Sequence, residues 1–138
     1  MYEKIMVPVD LAHVERLEKA LSTAADLARH YQIPICYVGV TTSLPGAVAH
    51  TPEEFARKLE QLGQSQADKY GLQKVATHAV NSHDPAVDLD DKLLEAVKET
   101  GADLVVMASH VPGLVDHIFA SNASYLASYA KVSVFVVR

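Results

Sequence analysis

The chain reads as an α/β domain, an open parallel five-stranded sheet with helices on both faces, and three observations point there. Short apolar runs alternate with stretches of helical period in the order β-α-β-α-β-α-β-α-β, the arrangement that a parallel sheet with crossover helices requires. The run Leu104–Ala108 (LVVMA) has no apolar–polar alternation, as expected of a strand covered on both faces. The 138 residues are 49% hydrophobic and 21% charged, enough for one substantial core and too few for two, so a single domain over 1–138 is expected. Right-handed crossovers then restrict the topology to a few doubly wound orders.

The first strand is Lys4–Val9 (KIMVPV), running into Asp10. From Val14 to His30, Leu17, Ala20, Leu21, Ala24, Leu27 and Ala28 share one helical face. A second strand, Pro34–Val40 (PICYVGV), leads into a loop turned at Pro45-Gly46. Thr51-Pro52-Glu53-Glu54 opens the next helix, with Thr51 as cap, Pro52 at the first helical position and Glu54 completing a capping box; Gly71 stops it. Lys74–Val80 (KVATHAV) is the third strand. Asp84-Pro85 is a second cap-and-proline start, with Ala86, Leu89, Leu93 and Val97 on the buried face and Gly101 at the end. After Leu104–Ala108, a connection leads to a helix near Ala120–Ala130, and Val132–Val137 (VSVFVV) is the fifth strand.

Composition removes several functions. The net charge is −5 and no run of Lys or Arg occurs, so neither a nucleic-acid face nor a basic membrane-surface helix is expected. No stretch approaches the ~20 apolar residues of a membrane span, and the opening MYEKIMVPVD is not a signal peptide. A single cysteine, Cys36, excludes an internal disulfide framework and reads as a small core residue. The cytoplasm is the expected compartment.

In an open parallel sheet, ligands bind beyond the carboxyl ends of the strands, where the strand order reverses. The candidates there are Asp10, Val38–Thr42, Asn81–Asp84 and Ala108–Gly113, with the last helix's N-terminus near Ser121. Familiar chemistries of this fold lose support. The turn after the first strand, Asp10-Leu11-Ala12-His13, has no glycine for a dinucleotide, and no GK[ST] P-loop occurs. A phosphoacceptor domain needs an acidic cluster, of which only Asp10 is present.

The segments KIMVPVD, DLVVMASH and KVSVFVVR resemble, in this order and over the whole chain, the universal stress protein (UspA-like) family. Asp84-Pro85-Ala86 and Gly101-Ala102-Asp103 extend the resemblance. It implies the adenine nucleotide alpha hydrolase-like fold, with strand order 3-2-1-4-5. In the family's ATP-binding branch a G-x2-G-x9-G-[ST] signature wraps the phosphates. Here it falls on Ala108, Val111, Ala120 and Ser121, so its glycines are gone and only the hydroxyl remains; His83 stands where a further glycine often occurs. The resemblance implies nucleotide-site positions at Pro8, Val9, Asp10, Val38, Met107, Ala108, His110, Val111, Ala120, Ser121 and Asn122.

Those losses weaken a phosphate cradle. A positive φ at β-branched Val111 would cost about 1–3 kcal/mol, Ala108 and Ala120 add methyl groups where backbone must approach a ligand, and Pro112 removes an N–H donor. No Lys or Arg lies between Ser109 and Ser128, and Asp116 adds negative charge. The expectation is therefore a stress-response protein acting by binding or regulation, without ATP-type phosphate-loop binding. The alternative is a member holding AMP or ATP through a non-consensus loop; weak nucleotide hydrolysis ranks last, since no general base stands near a bound phosphate.

Blander roles compete at each position. Asp10 can simply cap the following helix, as can Ser121 and Asn122. The seven histidines have no H-x3-H spacing, so no metal is expected. Tyr125 and Tyr129 pack as a face. Apolar residues on both faces of the last strand, Val132, Val134, Phe135 and Val136, call for cover, and the family resemblance implies a homodimer there. Any protein partner is unknown.

Overall fold

The structure, a computed structural model, describes residues 1–109 and 118–138. Its elements are β1 (Ile5–Pro8), α1 (Glu18–Tyr31), β2 (Ile35–Thr41), α2 (Pro52–Tyr70), β3 (Val75–Asn81), α3 (Pro85–Thr100), β4 (Leu104–Ala108), α4 (Ile118–Tyr129) and β5 (Ser133–Val137). The strands form one parallel sheet in the order β3-β2-β1-β4-β5.

Alternate side chains of each central strand feed two cores. Ile5, Val7, Ile35, Tyr37, Leu104 and Val106 pack with α1 and α2 through Leu21, Ala24, Phe55 and Leu59. Met6, Cys36, Val38, Val105 and Met107 pack with α3 and α4 through Leu93, Ala96, Val97, Ala123 and Leu126. Both faces of β4 are therefore buried, which is why its sequence does not alternate.

Local chemistry sets the ends. The Thr51 side chain accepts the Glu54 N–H at 3.1 Å, as expected of the cap. The Glu54 carboxylate reaches His50 N–H at 3.1 Å rather than Thr51 N–H, so the box closes one residue early. Gly71 and Gly101 end α2 and α3 with positive φ. Asp103 accepts the Glu3 and Lys4 N–H groups at 3.0–3.1 Å, tying the start of β1 to that of β4.

Three expectations are corrected. The helix expected from Val14 is two pieces: a 3₁₀ turn over Leu11–Arg16, then α1 from Glu18. The Asp10 carboxylate starts the turn by accepting Ala12 N–H, and His13, at φ −138° and ψ 40°, breaks the helical path. At α3, Asp84 makes no side-chain cap; Ser82 Oγ instead accepts Asp84 N–H at 3.2 Å and donates to Asp88. The described part of α4 starts at Ile118, so Ser121 and Asn122 lie inside the helix and not at its N-cap position.

Candidate functional site

β1 is the sheet's central strand, and its two ladders differ in length. Toward β2 the pairing runs from Ile5↔Ile35 to Pro8↔Val38. Toward β4 it holds only Ile5↔Leu104 and Met6↔Val105. Parity explains the difference. Ile5 N–H donates to Pro34 O and Val9 N–H to Val38 O, at 3.0 and 2.8 Å, so odd positions serve β2 and even positions serve β4. The next donor toward β4 would be residue 8, and Pro8 has no N–H. The β1–β4 ladder stops there, at the point where the strand order reverses, which is where the ligand crevice of an open parallel sheet lies.

Most of the positions expected at a nucleotide site border this crevice. Pro8, Val9 and Asp10 end β1, and Met107 and Ala108 end β4. Val38 flanks them on β2, its carbonyl taken by Val9. Val38 and Met107 are fully buried in the α3–α4 core, so their side chains serve packing. His110 and Val111 lie outside the described residues. Ala120 and Ser121 are in the first turn of α4. Asn122 is buried and its Nδ2 has no partner; leaving such a donor unmet costs about 1–3 kcal/mol. Between Val111 and Ala120 the chain has eight residues against the x9 of the phosphate signature, a further departure from it.

Asp10 is the crevice's exposed polar side chain at β1, with 29% of its side chain accessible. Its Oδ1 accepts Ala12 N–H at 3.0 Å, so the expected capping role is real, and its Oδ2 lies 2.9 Å from His13 Nδ1. Around the same end of the sheet stand Asp84, Asp88, Asp90 and Asp91, at the start of α3. Asp90 Oδ1 is buried without a partner, and burial, with Asp91 beside it, pushes its carboxyl above the usual range. On the flanking helices, Lys58 pairs with Glu54 and Lys92 with Glu95.

The sequence reading did not single out His13 or Asp90, and it held Ser82 only as part of the Asn81–Asp84 stretch. An acid and a histidine three residues apart signal the Asp10–His13 pair; nothing in the sequence shows that Ser82 and one carboxylate oxygen of Asp90 would be buried. Elsewhere, Cys36 is buried, with its thiol pushed up by that burial. The Tyr125 and Tyr129 rings pack at 4.7 Å between centroids, tilted by 43°, and Tyr125 Oη donates to Asp91 at 3.0 Å. Among the described residues no three His, Cys, Asp or Glu gather as a metal site needs.

A sequence model of the universal stress protein family matches residues 1–138. Universal stress protein G of Shigella flexneri is 31% identical over 147 residues, covering 100% of both chains; its Salmonella typhimurium namesake is 30% identical, with the same coverage. Among solved structures, universal stress protein UspA from Lactobacillus plantarum superposes with a TM-score of 0.70 at 19% identity, over 99% of this chain and 98% of that one. A universal stress protein in complex with cAMP gives a TM-score of 0.71 at 18% identity, over 99% and 97%. That from Archaeoglobus fulgidus in complex with dAMP gives 0.68 at 23% identity, over 99% and 98%.

Proposed function

The chain belongs to the universal stress protein family, and from that premise we propose that it acts in a stress response by binding rather than by catalysis. The crevice between β1 and β4 takes a phosphate-poor adenine compound, AMP or its nucleoside, in preference to ATP. The observation that carries this reading is the shortened ladder: Pro8 ends the β1–β4 pairing where the strand order reverses, and Asp10 presents a partly exposed carboxylate beside that point. A sugar hydroxyl fits that acceptor. Against a triphosphate stand the negative charge that Asp84, Asp88, Asp90 and Asp91 put around the start of α3, at this end of the sheet, and a sequence lacking the signature's glycines. Two structural neighbours hold adenine monophosphates, cAMP and dAMP, which makes a ligand of that class reasonable here. The remaining parts of the proposal are a single domain over 1–138, a cytoplasmic location and a homodimer formed through β5. Among the described residues no helix is long and apolar enough to cross a membrane.

Calorimetric titration with ATP, AMP and adenosine tests the reading. AMP or adenosine should bind more tightly than ATP, and an ATP dissociation constant near ~1 μM, about −8 kcal/mol, would overturn it. Val111→Gly combined with Ala120→Gly should strengthen ATP binding by restoring signature glycines. Unchanged ATP affinity in that variant would place the block in Pro112, Asp116, the one-residue-shorter spacing or the surrounding aspartates.

A further inference from the structure

Asp10 does not stand alone at the crevice. Its Oδ1 accepts Ala12 N–H at 3.0 Å and its Oδ2 meets His13 Nδ1 at 2.9 Å. His13 N–H also donates to the Asp10 carbonyl at 3.0 Å. The non-helical backbone at His13 is what allows one residue to touch Asp10 through both main chain and ring. The two side chains are 30% and 29% accessible, so the pair serves the crevice rim and not the core. An ionised carboxylate only accepts hydrogen bonds, so His13 Nδ1 is the donor, and the neutral ring is the Nδ1–H tautomer.

The lone pairs then determine what Asp10 can bind. Each carboxylate oxygen offers two accepting positions. Ala12 occupies one on Oδ1 and His13 one on Oδ2, which leaves one on each oxygen. Two adjacent acceptors in one fixed plane match two adjacent hydroxyl donors. We propose that His13 is a positioning residue, fixing the Asp10 carboxylate so that both oxygens accept from a vicinal diol, the 2′,3′-diol of an adenine nucleoside. This rests on the nucleoside reading of the crevice given above. Without His13 the carboxylate keeps one fixed contact, at Ala12, and its plane is free to turn, so the second hydroxyl loses its acceptor.

The test compares adenosine with 2′,3′-dideoxyadenosine by calorimetry, in the native chain and in His13→Ala, His13→Asn and His13→Gln. The native chain should prefer adenosine by about tenfold or more, the scale of hydrogen bonds to a charged group. His13→Ala should abolish that preference while leaving the affinity for the dideoxy compound unchanged. An Asn amide N–H lies close to the position of Nδ1, so His13→Asn should restore the preference; Gln places its amide one bond farther out and should not. In parallel, ¹⁵N shifts of the His13 ring should report the Nδ1–H tautomer, lost in Asp10→Asn. A His13→Ala variant that keeps the full preference overturns the role of His13 and leaves the nucleoside reading standing. An Nε2–H ring overturns the role without any ligand. A native chain that binds neither compound overturns the nucleoside reading, and this role with it.

Discussion

Asp90 works against the fold that holds it. One carboxylate oxygen is buried without a partner, and burial together with Asp91 raises its pKa. A carboxyl group raised in the native state holds its proton more tightly there than in the unfolded chain. Its contribution is therefore favourable below the unfolded value, ~4, and is lost as pH rises through the native value. Asp90→Asn keeps the shape and removes the charge. The Asn variant should melt above the native protein at pH 7, and the gap should shrink toward pH 3; a pH-independent gap would refute the electrostatic cause. Gly39 shows the opposite kind of constraint. A Cβ there would lie 2.8 Å from Phe55 Cζ and 2.9 Å from Cε1, and Phe55 is buried in the α1–α2 core. Gly39→Ala should therefore cost about 1–3 kcal/mol, the usual penalty of overpacking, read as a lower urea midpoint with an unchanged slope.

At the level of elements, Pro8 has the most specific consequence. It ends the β1–β4 ladder by lacking the N–H that parity assigns to β4. Pro8→Ala supplies that donor opposite the Val106 carbonyl, so the ladder should lengthen and the crevice narrow. The gain of about 1 kcal/mol from one hydrogen bond is offset by roughly 0.4–1 kcal/mol from a more flexible unfolded chain, so melting should change little. The informative readings are slow exchange of the new amide at position 8 and weaker AMP binding. Fast exchange there, with unchanged affinity, would refute the role. The proline was visible in KIMVPV; its effect was not, because parity needs the known ladder of β2. Sequence marked β4 and α2 to within a residue because burial on both faces and the Thr51-Pro52 and Gly71 signals are local. It merged the 3₁₀ turn with α1 because Val14 and Leu17 continue the helical spacing, while the break depends on how Asp10 and His13 meet. Asn122 looked like a cap because its type suits one; its burial within α4 is a tertiary property that no local pattern encodes.

The two edges of the whole sheet are unequal. β3 is partly polar, and its His78 pairs with Glu99 at 2.8 Å. β5 presents Phe135 and Val136, 45% and 37% accessible, beside a backbone edge that pairs with no other strand among the described residues. Ser133 N–H donates to Asp103 O, and Val137 O accepts from Ser109 N–H, so odd positions of β5 serve β4. The N–H and C=O groups of Val134 and Val136 therefore point outward, a template for another strand. A two-fold axis at Phe135 uses all of them: Val134 of one chain pairs with Val136 of its copy, and the reverse, in antiparallel register. The two Phe135 residues then face each other as a non-hydrogen-bonded pair, with Cα atoms about 4.5 Å apart. Val134 is the wrong residue with which to test this dimer, since its side chain packs against the α3–α4 core and a charge there would unfold the subunit. Phe135→Asp instead places two carboxylates opposite each other across the axis, where like charges are destabilising, and leaves both cores intact. The native chain should sediment as a dimer and Phe135→Asp as a folded monomer with unchanged far-UV circular dichroism. A native chain that remains monomeric at high concentration would refute the dimer, and a Phe135→Asp dimer would move the interface away from β5.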